Sequence, residues 1–181
     1  QTPYGGTLVQ MGLNAHDFCL ELKAGERFAS PAILCGYSDC GFETMSHRLH
    51  RFANDFILSE GFRPVLYNSW EATEFGVTCE EQKKLAKKAK ELGAELFVVD
   101  DGWFGERNGI DNGLGDWYVN EKKFPNGIDE LIREVKSLGM MFGIWVEPEM
   151  VNPPTKLFAE HPDWIYHFDT RTSDISRGQY V

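Results

Sequence analysis

Short apolar runs alternate with amphipathic stretches along most of the chain. The runs at residues 65–67, Leu96–Val99 and 140–146 are each bounded by polar or turn residues, which is typical of buried strands. Between them, residues 78–92 and 128–138 place apolar side chains on one face at helical spacing. A strand followed by a helix and a second strand is a βαβ unit, so the pattern predicts parallel strands with right-handed crossovers.

The predicted helices also carry signals at their ends. Thr78 is followed three residues later by Glu81, a spacing that predicts a capping box at a helix start. Gly93 and Gly139 follow the two helical stretches, and glycine accepts the left-handed conformation that ends many helices. We therefore expect each helix to stop shortly before the next strand.

The N-terminal part of the chain has a different pattern. Residues 1–41 are rich in glycine and turn residues, and the short apolar or alternating pieces at 18–22 and 32–34 predict antiparallel strands. These strands would be the end of a β-domain. Over residues 44–58, apolar side chains recur at helical spacing, which predicts a connecting helix.

The last part of the chain continues the alternation. A polar, glycine-rich connection at residues 105–127 is long for such a fold, and long loops are more often functional than incidental. A short helix is predicted to open at residues 153–155 and to close at His161, followed by a fourth strand at residues 164–168. Repeated strand–helix units with polar strand ends indicate an α/β fold, a (β/α)8 barrel of which about the first half is present.

Composition narrows the class of ligand. The 181 residues include 42% hydrophobic and 13% aromatic residues, enough for a packed core. Because the formal net charge is −10, nucleic acid and anionic membranes are not expected partners, and a neutral ligand fits better. The four cysteines show no zinc-ligand spacing, which mildly favours a reducing compartment and predicts cytoplasmic localisation, with secretion left open.

Aromatic and acidic residues stand at the end of each predicted strand. Trp70, the adjacent pair Asp100 and Asp101, and Trp145 each follow an apolar run. In a parallel sheet these ends meet at one edge. Carboxylates that accept hydrogen bonds from hydroxyls, beside flat rings that pack on C–H faces, suit a polyhydroxylated ligand such as a sugar.

A structural explanation stands beside each of these assignments. Trp70 and Trp145 would equally serve as core aromatics, and Glu147 and Glu149 would equally hold loop backbone. A structural role for the two aspartates requires a separate partner for each, because adjacent side chains on a strand point to opposite faces. A metal site built from the same carboxylates lacks a histidine or a third aligned acid, so no metal is predicted.

Six ordered motifs resemble glycoside hydrolase family 36, the bacterial and fungal α-galactosidases. They are Asn-Ser-Trp-Glu at 68–71, Leu-Phe-Val-Val-Asp-Asp-Gly-Trp-Phe at 96–104, Leu-Gly-Asp-Trp at 114–117, Phe-Pro-Asn-Gly at 124–127, Gly-Met-Met-Phe-Gly-Ile-Trp-Val-Glu-Pro-Glu-Met at 139–150 and His-Pro-Asp-Trp at 161–164.

The resemblance implies a domain order for the chain. Residues 1–41 would be the end of an N-terminal β-sandwich domain, residues 42–62 a linking helix, and residues 63–181 the first half of the catalytic (β/α)8 barrel. No cofactor is implied, and the intact protein is expected to be a homo-oligomer.

The resemblance also implies roles for particular residues. Asp100 and Asp101 would bind hydroxyls of the terminal galactose, and Trp70 and Trp145 would line the same pocket. Arg177 would contact the sugar, although the sequence has Arg-Gly-Gln where the family commonly has Arg-Asn-Gln.

The implied reaction is hydrolysis of terminal α-linked galactose from raffinose, melibiose or stachyose, with retention by double displacement. The family nucleophile lies in a Lys-Trp-Asp motif that does not occur in the 181 residues, so both catalytic acids are expected downstream and the isolated chain is expected to be inactive. The alternatives are a galactosyltransferase, an α-N-acetylgalactosaminidase, or a non-catalytic sugar-binding remnant.

Overall fold

A computed structural model describes residues 5–6, 8–14, 16, 18–58, 61–167 and 178–181. The chain divides into two compact units, Gln1–Gly61 and Phe62–Val181, and every predicted site residue that the structure describes lies in the second unit. No helix within these described ranges is long and apolar enough to span a membrane.

Over the described residues of the first unit, the chain forms helix α1 (Gly41–Phe52), which a π-helical turn (Ala53–Ile57) extends. The predicted helix at 44–58 is thus confirmed, with a start three residues earlier. The predicted antiparallel strands at 18–22 and 32–34 are wrong, because those residues form no strand. A strand needs a neighbour to pair its backbone groups, and no such pairing occurs among the described residues of this unit.

The second unit is built on a parallel sheet of β1 (Leu66–Asn68), β2 (Leu96–Val99) and β3 (Met141–Ile144), in the order β1-β2-β3. A short helix, α2 (Trp70–Thr73), follows β1. Two longer helices, α3 (Cys79–Glu91) and α4 (Asp129–Ser137), connect the strands. The predicted βαβ units and parallel strands are confirmed, and the order β1-β2-β3 places consecutive strands side by side.

The two connecting helices end in the same way. After α3, the N–H of Gly93 donates to Lys90 O and the N–H of Ala94 donates to Ala89 O, which is a Schellman motif. After α4, Gly139 and Met140 make the equivalent bonds, and both glycines have positive φ (91° and 73°). Each motif turns the chain directly into the next strand, so helix and strand lengths together fix where the strand ends lie.

The core lies where α3 and α4 pack on the sheet. The side chain of Thr78 caps α3 by accepting the N–H of Glu81 at 3.4 Å. Phe97 and Val99 of β2 are fully buried, while Leu96 and Val98 are partly buried on the other face. The helices contribute small or branched side chains to the core, namely Ala86, Ala89, Leu131 and Val135.

The C-terminal part departs from the predicted alternation. Helix α5 (Lys156–Glu160) forms as expected, but residues Pro162–Trp164 form a 3-10 turn. The predicted fourth strand at 164–168 is therefore not formed over the described residues 164–167, and Phe168 lies outside the described ranges. Pro162 is at the start of the turn, where its fixed φ is accommodated and no backbone N–H is needed. Among the described strands, β3 therefore pairs only with β2.

Candidate functional site

The carboxyl ends of the three strands lie at one edge of the sheet. Asn68 pairs with Val98, and Val99 pairs with Ile144, so the strands end at nearly the same level. The N–H of Trp145 still donates to Val99 O at 2.9 Å. Trp70, Asp100, Asp101 and Trp145 follow these ends directly, and the predicted meeting of strand ends at one edge is confirmed.

Asp100 is held by the residues that follow β1. The residue is 9% exposed, and its Oδ2 accepts a short hydrogen bond from Asn68 Nδ2. The N–H of Asp100 donates to Ser69 Oγ at 3.0 Å, and its Oδ1 accepts the N–H of Asp101 at 2.7 Å. Asn68 Oδ1 also accepts the N–H of Trp70, so one amide connects the carboxylate to the tryptophan backbone. These partners are neutral.

Asp101 has a cationic partner instead. Arg107 Nε lies 2.9 Å from Oδ1, and Arg107 Nη2 lies 2.8 Å from Oδ2, so the guanidinium makes a two-pronged contact. The side chain of Asp101 is 7% exposed and that of Arg107 is 2% exposed. The two adjacent carboxylates therefore have separate partners, which is what a purely structural role requires and what a binding role also permits.

The remaining face of Arg107 is fixed by the loop that contains it. Nη1 lies 3.0 Å from the carbonyl oxygens of Ile110 and Asn112, and 3.1 Å from Asn152 Oδ1. The guanidinium carbon lies 5.1 Å from the centre of the Phe75 ring, within the range of a cation–π contact. The long connection at 105–127 is thus a polar scaffold around one buried cation.

Lys123 connects the same loop to the segments that follow β1 and β2 through hydrogen bonds. Its ammonium donates to three backbone carbonyls, those of Phe75, Gly102 and Arg107, at 2.7 to 2.8 Å. Burial lowers the pKa of Lys123 from its ordinary value, and the nearby charges of Asp101 and Glu106 act in the opposite direction. The cation is therefore partly desolvated, and the carbonyl oxygens replace its water.

An aromatic cluster joins the ends of β2 and β3. Phe104 and Trp117 lie 4.4 Å apart between ring centres, and each lies 6.4 Å from Trp145. The indole N–H of buried Trp103 donates to Trp145 O at 2.9 Å. Trp145 keeps part of its surface exposed beside this cluster, and Trp70 is half-buried against Phe75. Partly exposed rings that pack against other aromatic side chains suit stacking on a sugar.

A cavity of about 610 Å³ lies in the second unit, and its walls do not include the aspartates. It borders Trp117 and is mostly apolar. Its other walls come from the segment after β3 and from the region around α5, including Met150, Leu157, Phe158, Trp164 and Tyr180. Trp70, Asp100, Asp101 and Trp145 therefore lie outside this cavity.

One group of potential metal ligands occurs among the described residues, formed by Cys79, Glu80 and Glu130, with ligand atoms within 4.8 Å of one another. The ammonium of Lys83 bonds both carboxylates, and these hydrogen bonds raise the pKa of Lys83 and lower that of Glu130. A cation already occupies the centre of the negative charge, so the arrangement does not favour a metal ion.

Sequence reasoning missed Asn68, Arg107, Lys123 and Asn152 as members of this network. Asn68 had a signal, since it opens the same motif as Trp70. The two basic residues had a weaker one, because they are cations within a long connection after paired acids. Arg177 lies outside the described residues, and the binding roles of the other four predicted residues stay predictions.

The chain belongs to the melibiase family, whose model matches residues 27–181. The predicted membership of glycoside hydrolase family 36 is confirmed by the relatives. Over 182 aligned residues, the chain is 44% identical to α-galactosidase AgaA of Geobacillus stearothermophilus, covering 98% of this chain and 25% of that protein.

Solved structures of glycoside hydrolase family 36 α-galactosidases also match this chain. A variant of AgaA in complex with stachyose matches with a TM-score of 0.73 and 46% identity, over 80% of this chain and 21% of that one. A second variant in complex with raffinose matches with a TM-score of 0.62 and 50% identity, over 66% and 17% of the two chains. The chain spans about a quarter of the length of the curated relatives it matches.

Proposed function

We propose that this chain forms the galactose-recognising part of an α-galactosidase that hydrolyses terminal α-linked galactose from raffinose, melibiose or stachyose. The observation that carries the proposal is the alignment of Trp70, Asp100, Asp101 and Trp145 at one edge of a parallel sheet, in a chain of the melibiase family. The complexes of AgaA variants with raffinose and stachyose support the choice of substrate class.

The chemistry of the edge fits recognition better than bond cleavage. Asp100 and Asp101 are consecutive, and the backbone N–H of Asp101 donates to Asp100 Oδ1. The two carboxylates therefore cannot lie on opposite sides of one glycosidic bond. They accept hydroxyl hydrogen bonds, Trp70 and Trp145 pack on the sugar ring, and Arg177 contributes a further donor. The nucleophile and the acid/base come from residues outside this chain.

The remaining architecture belongs to the same proposal. Residues 63–181 are the first half of a (β/α)8 barrel, residues 42–62 the linking helix, and residues 1–41 the end of a β-sandwich domain. The intact protein acts in the cytoplasm as a homo-oligomer.

The test is an assay of the full-length gene product with aryl α-galactoside and aryl α-glucoside. We expect turnover of the galactoside only, and we expect Asp100→Asn to lower kcat/KM by about 100-fold or more, since a buried hydroxyl acceptor is lost. Glu121→Gln, an exposed change in the same unit, is the matched control. No turnover by the full-length protein, or equal turnover of both glycosides, would refute the proposal.

A further inference from the structure

Two adjacent carboxylates at the end of β2 have chemically different partners. Asp100 accepts hydrogen bonds from a side-chain amide and a backbone N–H, whereas Asp101 faces a guanidinium. From this difference we infer that Arg107 is a positioning residue: it orients the Asp101 carboxylate so that its remaining lone pairs receive one particular hydroxyl of the substrate. This inference rests on the proposed function.

The ion pair is better explained by orientation than by stability. Arg107 is 2% exposed and the Asp101 side chain 7%, so both charges have lost their water. Desolvation consumes most of the attraction in such a pair, and apolar residues of similar volume are often as stable. What a planar guanidinium provides is direction, since two parallel hydrogen bonds fix the plane of the carboxylate.

Asp101 retains acceptor capacity after this contact. A carboxylate offers about four lone-pair positions, and the two-pronged contact occupies one on each oxygen, with a third, longer approach of Nε to Oδ2 at 3.1 Å. Among the described residues, Arg107 is the only side chain that donates to this carboxylate. The carboxylate therefore keeps acceptor positions that the guanidinium does not occupy, and the bidentate contact fixes the plane in which they lie.

Arg107 cannot follow a moving carboxylate, because its own position is fixed from behind. Nη1 contacts two carbonyls and Asn152 Oδ1. Asn152 is fully buried, and all its polar atoms are used: Oδ1 also accepts the N–H of Leu114, while Nδ2 donates to Ile110 O and Gly178 O. Lys123 holds the carbonyl of Arg107 at 2.8 Å. The side chain of Asn152 and the carbonyl of Arg107 are thus both hydrogen-bonded behind the guanidinium, which is what a positioning element needs.

The experiment compares inhibition of the full-length protein by galactose and by its 2-, 3-, 4- and 6-deoxy analogues. For the wild type, each missing hydroxyl that meets a carboxylate should weaken the inhibition constant by about 10- to 100-fold. In Arg107→Lys the charge remains but the two-pronged contact is lost. We expect the penalty for one deoxy position to shrink to about threefold, and the same position to lose its penalty in Asp101→Asn.

The other positions separate orientation from general damage. Penalties at hydroxyls that Asp100 binds should persist in Arg107→Lys and disappear in Asp100→Asn. Arg133→Lys, an exposed change on α4, should leave the whole series unchanged. If Arg107→Lys does not fold, Asn152→Ser, which leaves the ion pair in place, should reduce the penalty at the same position by a smaller factor.

Each remaining outcome has a distinct meaning. Equal weakening of galactose and all analogues in Arg107→Lys or Asn152→Ser, or no change at all, would show that Arg107 is structural only, and would overturn the inference while leaving the proposed function intact. A wild-type protein that neither cleaves α-galactosides nor binds galactose would overturn the proposed function itself, and the inference with it.

Discussion

The ends of β2 and β3 look alike in the sequence but differ in the structure. Both strands run into carboxylates and a tryptophan. After β2, every residue from Asp100 to Gly105 is buried and the carboxylates are bonded on several sides. After β3, Val146 is 52% exposed, and Pro148 and Glu149 are exposed as well.

The difference comes from the segments that follow. The connection after β2 supplies Arg107 and Lys123, and it folds back so that both cations reach the strand end. The segment after β3 contains no arginine or lysine until Lys156. The buried carboxylate of Asp101 is thus matched by a cation from the next loop, whereas the exposed carboxylate of Glu149 needs none because water solvates it.

The largest effect is expected from removing the acid that faces the buried cation. Asp101→Ala leaves the guanidinium of Arg107 buried without a counter-charge, which costs about 3–5 kcal/mol of unfolding free energy. Glu149→Ala at the end of β3 should change it by about 0.5 kcal/mol or less. Urea unfolding followed by circular dichroism measures both. Similar losses in the two variants would contradict the distinction between the two ends.

A second effect concerns the backbone around Arg107. Gly113 has φ +78°, and a Cβ there would lie 2.6 Å from Arg107 N and 2.8 Å from its Cα. Gly127 has nearly the same φ, +75°, but open space around it. We expect Gly127→Ala to cost about 1–2 kcal/mol for the left-handed conformation, and Gly113→Ala to cost about 1–3 kcal/mol more for the collision.

Thermal unfolding measures both glycine variants. Because the left-handed backbone costs the same in Gly113→Ala and Gly127→Ala, the difference between their melting temperatures reports the collision at Gly113 alone. Equal melting temperatures would mean that the loop backbone moves away from Arg107 at little cost. In that case the network around the guanidinium would be softer than its hydrogen bonds indicate.

A smaller effect is expected at the bond that joins the two strand ends. Trp103→Phe keeps most of the ring but removes the N–H that donates to Trp145 O, and it should cost about 1 kcal/mol. Trp164→Phe, at a ring that is 66% exposed, should cost less. Urea unfolding compares the pair, and a larger loss for Trp164→Phe would show that the ends of β2 and β3 are not coupled through this bond.

The strand and helix positions of the second unit could be predicted because each rests on local signals. Thr78 and the glycines at 93 and 139 mark the helix ends, and the apolar runs mark the strands. The placement of Asp100 and Asp101 follows from the strand that precedes them. The strands predicted at 18–22 and over the described residues 164–167 did not form, because a local pattern does not supply a pairing partner.

The partners of the aspartates could not be predicted for a related reason. Arg107 lies six residues beyond Asp101, but Asn152, which fixes the far side of the guanidinium, lies 45 residues away from it. The path of the loop also depends on Gly113, where no side chain fits beside the Arg107 backbone. These tertiary contacts leave no periodic pattern in the sequence. The length of the loop could therefore be predicted, but its role in holding Arg107 could not.

The smallest effect is expected at the ion pair between Lys83 of α3 and Glu130 of α4. This pair is more accessible to solvent than the buried pair of Arg107 and Asp101. The hydrogen bond from Lys83 lowers the pKa of Glu130 below its ordinary 4.5. Because the folded state favours the carboxylate, the stabilisation is complete at pH values above the ordinary pKa and is lost as the pH falls through the lowered pKa of the folded state.

Unfolding midpoints at pH 7 should therefore fall slightly in Glu130→Gln, and the difference from wild type should shrink at pH values below about 4. Glu121→Gln, an exposed change, should show no such dependence. A difference that persists unchanged into acid would mean that Glu130 acts through packing and not through its charge.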